Sequence, residues 1–380
     1  MDKLSIKADL YMGQGAMDRL TEWQNKRMFI VTDPFMVKSG MINMVFDRLH
    51  SSNEQYVFSN IVPDPPIEVV TEGVEALCAF NTDLIIAIGG GSAIDAAKAM
   101  KLFTKKLLDQ RDIPFIAIPT TSGTGSEVTS FSVISDKEKN IKYPLVSDDM
   151  LPQEAILDPE LVKSVPDFIT ADTGLDVLTH AIEAYVSTKS NDISDALAEK
   201  AMKLVFAYLP RAYKDGNDLE AREKMHNASC IAGMAFNIAS LGLNHGIAHV
   251  AGAKFKIAHG RMNAILLPHV IEFNADYKPG YGKEESNRAA VRYAEISKSL
   301  GLSAPNAKSG VRSLVQAIKL LQKQLNMPQT LRECGVNQSL FGEMRESIAE
   351  GALKDGCTAT NPRVPTAEDV LQILNKMFQF

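Results

Sequence analysis

Through roughly the first 170 positions, apolar residues fall in short unbroken runs separated by helical stretches. Arg27-Met28-Phe29-Ile30-Val31-Thr32-Asp33 reads as a buried strand ending on an acid, and Gln55-Tyr56-Val57-Phe58 as a second. Leu84-Ile85-Ile86-Ala87-Ile88 is a third, stopped by Gly89-Gly90-Gly91, and Phe115-Ile116-Ala117-Ile118-Pro119 a fourth. Strands that are apolar throughout, with helices between them, predict a parallel sheet covered on both faces. Further on, the period changes to that of long helices, as in Ala196–Val205, and no run has comparable strand character. The pattern predicts an α/β N-terminal domain over residues 1–172 and an all-helical C-terminal domain over 173–380, with the break near Pro166–Thr173. Lys278–Asn287 reads as a surface loop.

Composition narrows the function. A chain of 380 residues is long for one core, in keeping with two domains. Hydrophobic residues at 45% and charged residues at 23% are ordinary for a globular protein. The net charge of −6 argues against a nucleic-acid partner, and no basic cluster is present to attract an anionic membrane. No apolar run reaches the ~18 residues of a spanning helix, and MDKLSIKADLYMGQG has no signal-peptide core. Cys78, Cys230, Cys334 and Cys357 are far apart and form no CxxC, which predicts a reduced, cytoplasmic protein.

Two loops carry candidate nucleotide chemistry. Gly89-Gly90-Gly91-Ser92 follows a strand and precedes a strong helix former, with Ser92 as the expected N-cap. Glycines admit a ligand close to the backbone, and a helix N-terminus favours a phosphate. The motif is neither GxGxxG nor a Walker loop. Pro119-Thr120-Thr121-Ser122-Gly123-Thr124-Gly125-Ser126 follows the next strand and is rich in hydroxyls. Two such loops at the carboxyl ends of parallel strands predict a nucleotide site. Asp33 ends its strand where an acid can accept from ribose hydroxyls and repel a 2′-phosphate, favouring NAD over NADP, although a turn residue before Pro34 reads equally well.

The second half carries a metal-binding pattern. Three of the seven histidines, His245, His249 and His259, fall close together. Upstream, Asp176 and His180 are one helical turn apart, as are His245 and His249, so each pair projects from one face. A carboxylate with imidazoles suits a borderline divalent ion such as Fe²⁺ or Zn²⁺, and the lack of nearby cysteine argues against structural zinc. Spacing alone does not choose among the histidines. His50, His226 and His269 read as core or surface residues.

These motifs, GGGSAIDAAKA, AIPTTSGTGSEVT, GLDVLTHAIEAY and NHGIAHVAGAKFKIAHG, in this order and spacing, resemble the iron-containing (group III) alcohol dehydrogenases over essentially the whole chain. IKYPL, DALAEKA, KMHNAS and ALKDGCTATNPR resemble the propanol dehydrogenase branch of bacterial propanediol breakdown. The resemblance implies a fold shared with dehydroquinate synthase, a nucleotide domain followed by a helical metal domain, and an active site in the cleft between them. It implies Asp176, His180, His245 and His259 as ligands of Fe²⁺ (Zn²⁺ or another divalent ion being chemically acceptable), with His249 near the reacting centre as a proton relay or an orienting group. It implies contacts to NAD(H) from Asp33, Gly89, Gly90, Gly91, Ser92, Asp95, Thr120, Thr121, Thr124, Ser126 and Lys142. The implied reaction is reversible reduction of a short aldehyde, propanal to 1-propanol, by NADH. A homo-oligomer, dimer or larger, is also implied, in the cytoplasm or inside a bacterial microcompartment. The chain departs from the family at Ala258, where relatives carry a stiffening proline.

Three rival readings remain at this level. A dehydroquinate-synthase-type lyase would need a basic cluster for an acidic substrate, and none lies near the ligand motifs. A glycerol or diol dehydrogenase would keep the metal but take a polyol. A non-catalytic scaffold would have little reason to retain both nucleotide loops and the full ligand set.

Overall fold

The computed structural model describes residues 7–107, 111–136, 141–276 and 287–379. The expected loop at Lys278–Asn287 therefore lies, but for Asn287, outside the described residues. The strands are β1 (Asp9–Met12), β2 (Arg27–Val31), β3 (Glu54–Phe58), β4 (Leu84–Gly89), β5 (Phe115–Pro119), β6 (Phe131–Asp136), β7 (Ile141–Val146) and β8 (Glu154–Leu157). The helices are α1 (Pro34–Lys38), α2 (Asn43–Phe46), α3 (Ile67–Ala79), α4 (Gly91–Leu107), α5 (Asp167–Val186), α6 (Asp192–Lys214), α7 (Leu219–Ala239), α8 (Leu243–Phe255), α9 (His259–Asn274), α10 (Arg288–Ser299), α11 (Ala307–Gln324), α12 (Gln338–Lys354) and α13 (Ala367–Gln379).

Six strands form a parallel sheet in the order β1-β8-β5-β4-β2-β3, and β6 and β7 form a separate antiparallel pair. The unbroken apolar runs follow from the sheet having two buried faces. Phe29, Val31, Ile85, Ala87, Phe115 and Ala117 face a core with Val70, Leu77, Ile94, Ala97 and Met100. Their alternate neighbours Met28, Ile30, Leu84, Ile86, Ile88, Ile116 and Ile118 face another, with Met17, Leu20 and Met36. The connection from β2 runs outward to β3, and the chain then returns to place β4 on the other side of β2. The winding direction reverses between β2 and β4, and such a switch point opens a crevice at the strands' carboxyl ends.

The chain divides into two compact units, Met1–Val165 with Asn217–Asn237, and Pro166–Gly216 with Ile238–Phe380. Most of α7 thus belongs to the first unit, to which it is tied by bonds from Ser122 to His226 and from Ser130 to Asn237. The second unit contains helices and no strand among its described residues. Within it α5 packs on α6 and α9, and α8 packs on α9 and α12. The core beneath α8 and α9 gathers Leu243, Ile247, Phe255, Met262, Leu266, Ile348 and Leu374. Among the described residues no helix is long and apolar enough to cross a membrane, and all four cysteines are free thiols.

Candidate functional site

In the first unit, Gly89 ends β4 and Asp33 stands two residues beyond the end of β2, the two strands that flank the switch point. Asp33 is the N-cap of α1: its Oδ1 accepts from Phe35 N at 2.8 Å and from Met36 N at 3.1 Å. The turn reading of this residue is what the structure shows, while Oδ2 turns to the glycine loop. A methyl group on Gly89 would stand 3.5 Å from that oxygen and 2.8 Å from Ala93 Cβ, and the φ of +154° is itself one that glycine favours. The helix begins at Gly91, with the Gly90 carbonyl accepting from Ala93 N at 3.1 Å. Ser92 is consequently inside the first turn and not the N-cap expected of it, because the chain turns into the helix one residue earlier.

The hydroxyl loop closes on the glycine loop. Thr120 N donates to Gly89 O at 2.9 Å, and Thr121 and Thr124 lie against Gly90 and Gly91. Asp95 Oδ1 accepts from Ser126 Oγ at 2.5 Å and Oδ2 from Val133 N at 3.0 Å. Ser126 also meets the buried Lys98 Nζ at 2.8 Å, which bonds Thr129 Oγ1 and Phe131 O as well. Burial pulls Lys98 down to about 8 against the attraction of Asp95 and Glu127. Burial likewise lifts Glu127 to about 7. His226 Nδ1 lies 3.0 Å from Ser122 Oγ and steadies the loop from α7. Lys142 lies on β7, but its side chain is outside the described residues.

The second unit brings the metal-binding pattern to one place. Asp176 and His180 project from α5, His245 and His249 from α8, and His259 opens α9. Ligand atoms of Asp176, His180 and His245 lie within 4.8 Å of one another. His259 Nε2 is 3.7 Å and His245 Nε2 3.6 Å from Asp176 Oδ1. His180 stacks on His245 at 4.6 Å, and His249 on His259 at 5.3 Å between ring centroids. Asp176, His180 and His245 are buried, whereas the His259 side chain is 43% exposed. The α9 end that carries it is held to α5 by Arg261, whose Nε and Nη2 each donate to Asp172 at 3.1 Å. At Ala258 the backbone φ of −54° is one that proline would impose, so the alanine keeps the same local shape.

Sequence reasoning missed three residues that organise this centre. Glu183, one turn beyond His180 on α5, takes His245 Nδ1 at 2.5 Å and Asn244 N at 2.7 Å. With Nδ1 so engaged, His245 turns its Nε2 towards Asp176, where a cation would take it as a ligand. Asn263, one turn after His259, places Nδ2 2.7 Å from Asp176 Oδ1 and 3.1 Å from both His245 Nε2 and His259 Nε2. Asn244 Nδ2 donates to Asn263 Oδ1 at 2.8 Å, which settles the orientation of that amide. The third is Asp355, whose Oδ2 lies 2.8 Å from His249 Nδ1. Helical spacing could have flagged Glu183 and Asn263; nothing local could have flagged Asp355.

Burial alone would raise the Asp176 carboxyl, but the imidazoles of His180, His259 and His245 outweigh it and hold it well below the ordinary carboxylate range. Burial works against a proton on His245, yet the Glu183 and Asp176 carboxylates lift that imidazole to about 9. One carboxylate oxygen and several imidazole nitrogens converging in an acid-rich pocket fit a borderline divalent cation.

The comparisons with known proteins agree with this chemistry. The family model described as iron-containing alcohol dehydrogenase matches residues 8–159, and that described as the C-terminal part of the same family matches 170–378. The chain is 45% identical to the 1-propanol dehydrogenase PduQ of Citrobacter freundii, over 99% of this chain and 100% of that one. It is 39% identical to the NADPH-dependent butanol dehydrogenase of Clostridium saccharobutylicum, over 100% of this chain and 98% of that one. Its fold matches the solved iron-containing alcohol dehydrogenase of Thermococcus thioreducens with a TM-score of 0.88 and 33% identity, over 99% and 100% of the two chains.

Proposed function

The chain belongs to the iron-containing alcohol dehydrogenase family and is an iron- and NAD-dependent oxidoreductase; from that premise we propose that it reduces propanal and similar short aldehydes reversibly with NADH, and that Asp176, His180, His245 and His259 hold the iron. The observation that carries the metal part is the convergence of His180, His245 and His259 on the Asp176 carboxylate, with Glu183 fixing His245. When bound, the iron supplies a Lewis acid that stabilises negative charge on the reacting oxygen.

The remaining roles fall to the protein. Asp176 and Glu183 set the negative charge that retains a cation. Gly89, Gly90, Gly91 and Ser92 receive the pyrophosphate at the start of α4, where the helix dipole favours it. Thr120, Thr121 and Thr124 add hydroxyl and backbone contacts, while Asp95 and Ser126 brace the two loops. Asp33 Oδ2 binds the adenosine ribose and repels a 2′-phosphate. Lys142 contributes a contact near the nicotinamide ribose, in line with the family resemblance. His249 exchanges the proton with the alcohol oxygen. Free thiols and the acidic net charge support a cytoplasmic enzyme without a nucleic-acid partner. The family resemblance supports a homo-oligomer and leaves a microcompartment as an alternative setting.

The test is a kinetic screen of iron-loaded protein with propanal, butanal and acetaldehyde and with each nicotinamide, run beside Asp33→Gly. Propanal should give the highest kcat/KM with NADH, and Asp33→Gly should raise the ratio of NADPH to NADH use. No NADH oxidation with any aldehyde would overturn the activity, and an unchanged cofactor ratio would remove Asp33 from the nucleotide site.

A further inference from the structure

The segment after α12 is fastened along α8. Asn361 Oδ1 accepts from Leu243 N at 3.1 Å, and Thr360 Oγ1 donates to Leu241 O at 2.6 Å. The 3-10 turn Gly356–Thr360, which ends on that threonine, lies directly on Gly246: a methyl group there would stand 2.0 Å from Thr358 Oγ1. Gly246 and His249 are one turn apart on α8, so the bare backbone at Gly246 lets the turn settle on the face that carries His249. Thr358 Oγ1 in turn donates to Ala352 O at 2.6 Å and ties the turn to the end of α12.

This packing sets Asp355 against His249. Asp355 Oδ1 accepts from Cys357 N at 2.8 Å, and Oδ2 lies 2.8 Å from His249 Nδ1. Both oxygens are engaged, and the side chain is only 18% exposed. Although burial opposes it, the contact with His249 holds the Asp355 carboxyl below its ordinary range, so the group stays ionised. The His249 ring is then fixed at one edge by the carboxylate and on one face by His259.

We propose that Asp355 is a positioning residue for proton transfer, holding His249 with Nδ1–H towards the carboxylate so that Nε2 exchanges the proton with the alcohol oxygen. This rests on the reading of His249 as the proton donor. During aldehyde reduction the Nε2–H bond of the imidazolium breaks and an O–H bond forms on the alkoxide oxygen. The ring is left neutral, its Nδ1–H still bonded to an ionised Asp355. Water then returns a proton to Nε2 through the exposed part of the ring, the His249 side chain being 33% exposed. A carboxylate that fixes tautomer and ring angle acts in this way in other histidine-dependent sites.

The discriminating experiment is a double-mutant cycle on the iron-loaded enzyme with propanal and NADH. Asp355→Asn should lower kcat by about 10- to 100-fold, with iron content and the KM for NADH within about twofold of wild type. His249→Ala should lose at least as much and be partly rescued by added imidazole. The double variant should be no slower than His249→Ala alone, because a residue that acts through another has nothing left to act on. Losses that multiply in the double variant would overturn the proposal, as would an Asp355→Asn protein that loses iron or Tm in step with its activity, since these mark a merely structural cap. Should Asp355→Asn fail to fold, Asp355→Glu carries the same cycle. A fully active His249→Ala enzyme would sink the proton role and this proposal together. Absence of aldehyde reduction by the wild type would instead sink the proposed activity.

Discussion

Exchanging Glu183 for glutamine replaces one carboxylate oxygen by an amide NH2 in a pocket with no room for error. Glu183 serves two donors, Asn244 N at 2.7 Å and His245 Nδ1 at 2.5 Å, and is itself buried. Glutamine brings only one oxygen. If its NH2 faces Asn244, two donors meet and a buried N–H goes unsatisfied, at a cost of about 1–3 kcal/mol. If it faces His245, the ring must shift its proton to Nε2, the atom 3.6 Å from Asp176 Oδ1, and a metal ligand is lost. Either way the iron-ready arrangement is penalised, and residues that orient ligands typically contribute about 10- to 100-fold in metal affinity, or about 1.4–2.7 kcal/mol. The assay is iron retention against graded chelator, read by metal analysis, with the Tm of the metal-free protein as control. Iron affinity within twofold of wild type, with an unchanged metal-free Tm, would refute the claim that Glu183 prepares His245 for the ion.

Two further expectations concern the scaffold. Burial lifts the Glu127 carboxyl from 4.5 to about 7, so the folded state holds that proton more tightly than the unfolded state. Its stabilisation is complete below about pH 4.5 and is lost as pH rises to 7, a span of about 3 kcal/mol. Glu127→Gln is neutral at every pH, so the wild-type Tm should fall relative to the variant across that window; parallel Tm curves would contradict the assignment. Ala258 already holds a proline-compatible φ of −54°. Ala258→Pro should therefore raise stability by about 0.4–1 kcal/mol through the unfolded chain, and chemical denaturation showing a loss would place an incompatible neighbour at that position.

The central strands were legible because burial on both faces leaves no polar position to interrupt β2, β4 and β5. β3 was legible despite its exposed residues, through Tyr56, Val57 and Phe58. The strands that sequence reasoning missed are those for which burial is not the deciding force. β1 is a short edge with exposed ends, and β8 contains a buried Glu154 that makes sense only once Arg19 is seen 2.6 Å away. β6 and β7 depend on each other in an antiparallel register that no local pattern announces. Most of α7 has the same helical period as its neighbours, and only its contacts with Ser122 and Ser130 show that it belongs with the sheet.

The candidate site divides along a similar line. Metal-binding side chains one turn apart on a helix can be read directly, because the helix converts spacing into a shared face. Glu183 and Asn263 follow the same rule from His180 and His259, yet neither is an obvious metal ligand, and their value appears only when His245 and Asp176 supply what they bond to. Asp355 obeys no spacing rule at all: it is 106 residues from His249 and reaches it because Gly246 lacks a side chain. The atoms that hold a cation are thus local in sequence, while the atoms that fix a tautomer come from wherever the packing can deliver a carboxylate. Substitutions at Glu183 and Asp355 should accordingly part company in their effects, the first read out in iron affinity and the second in kcat at constant iron.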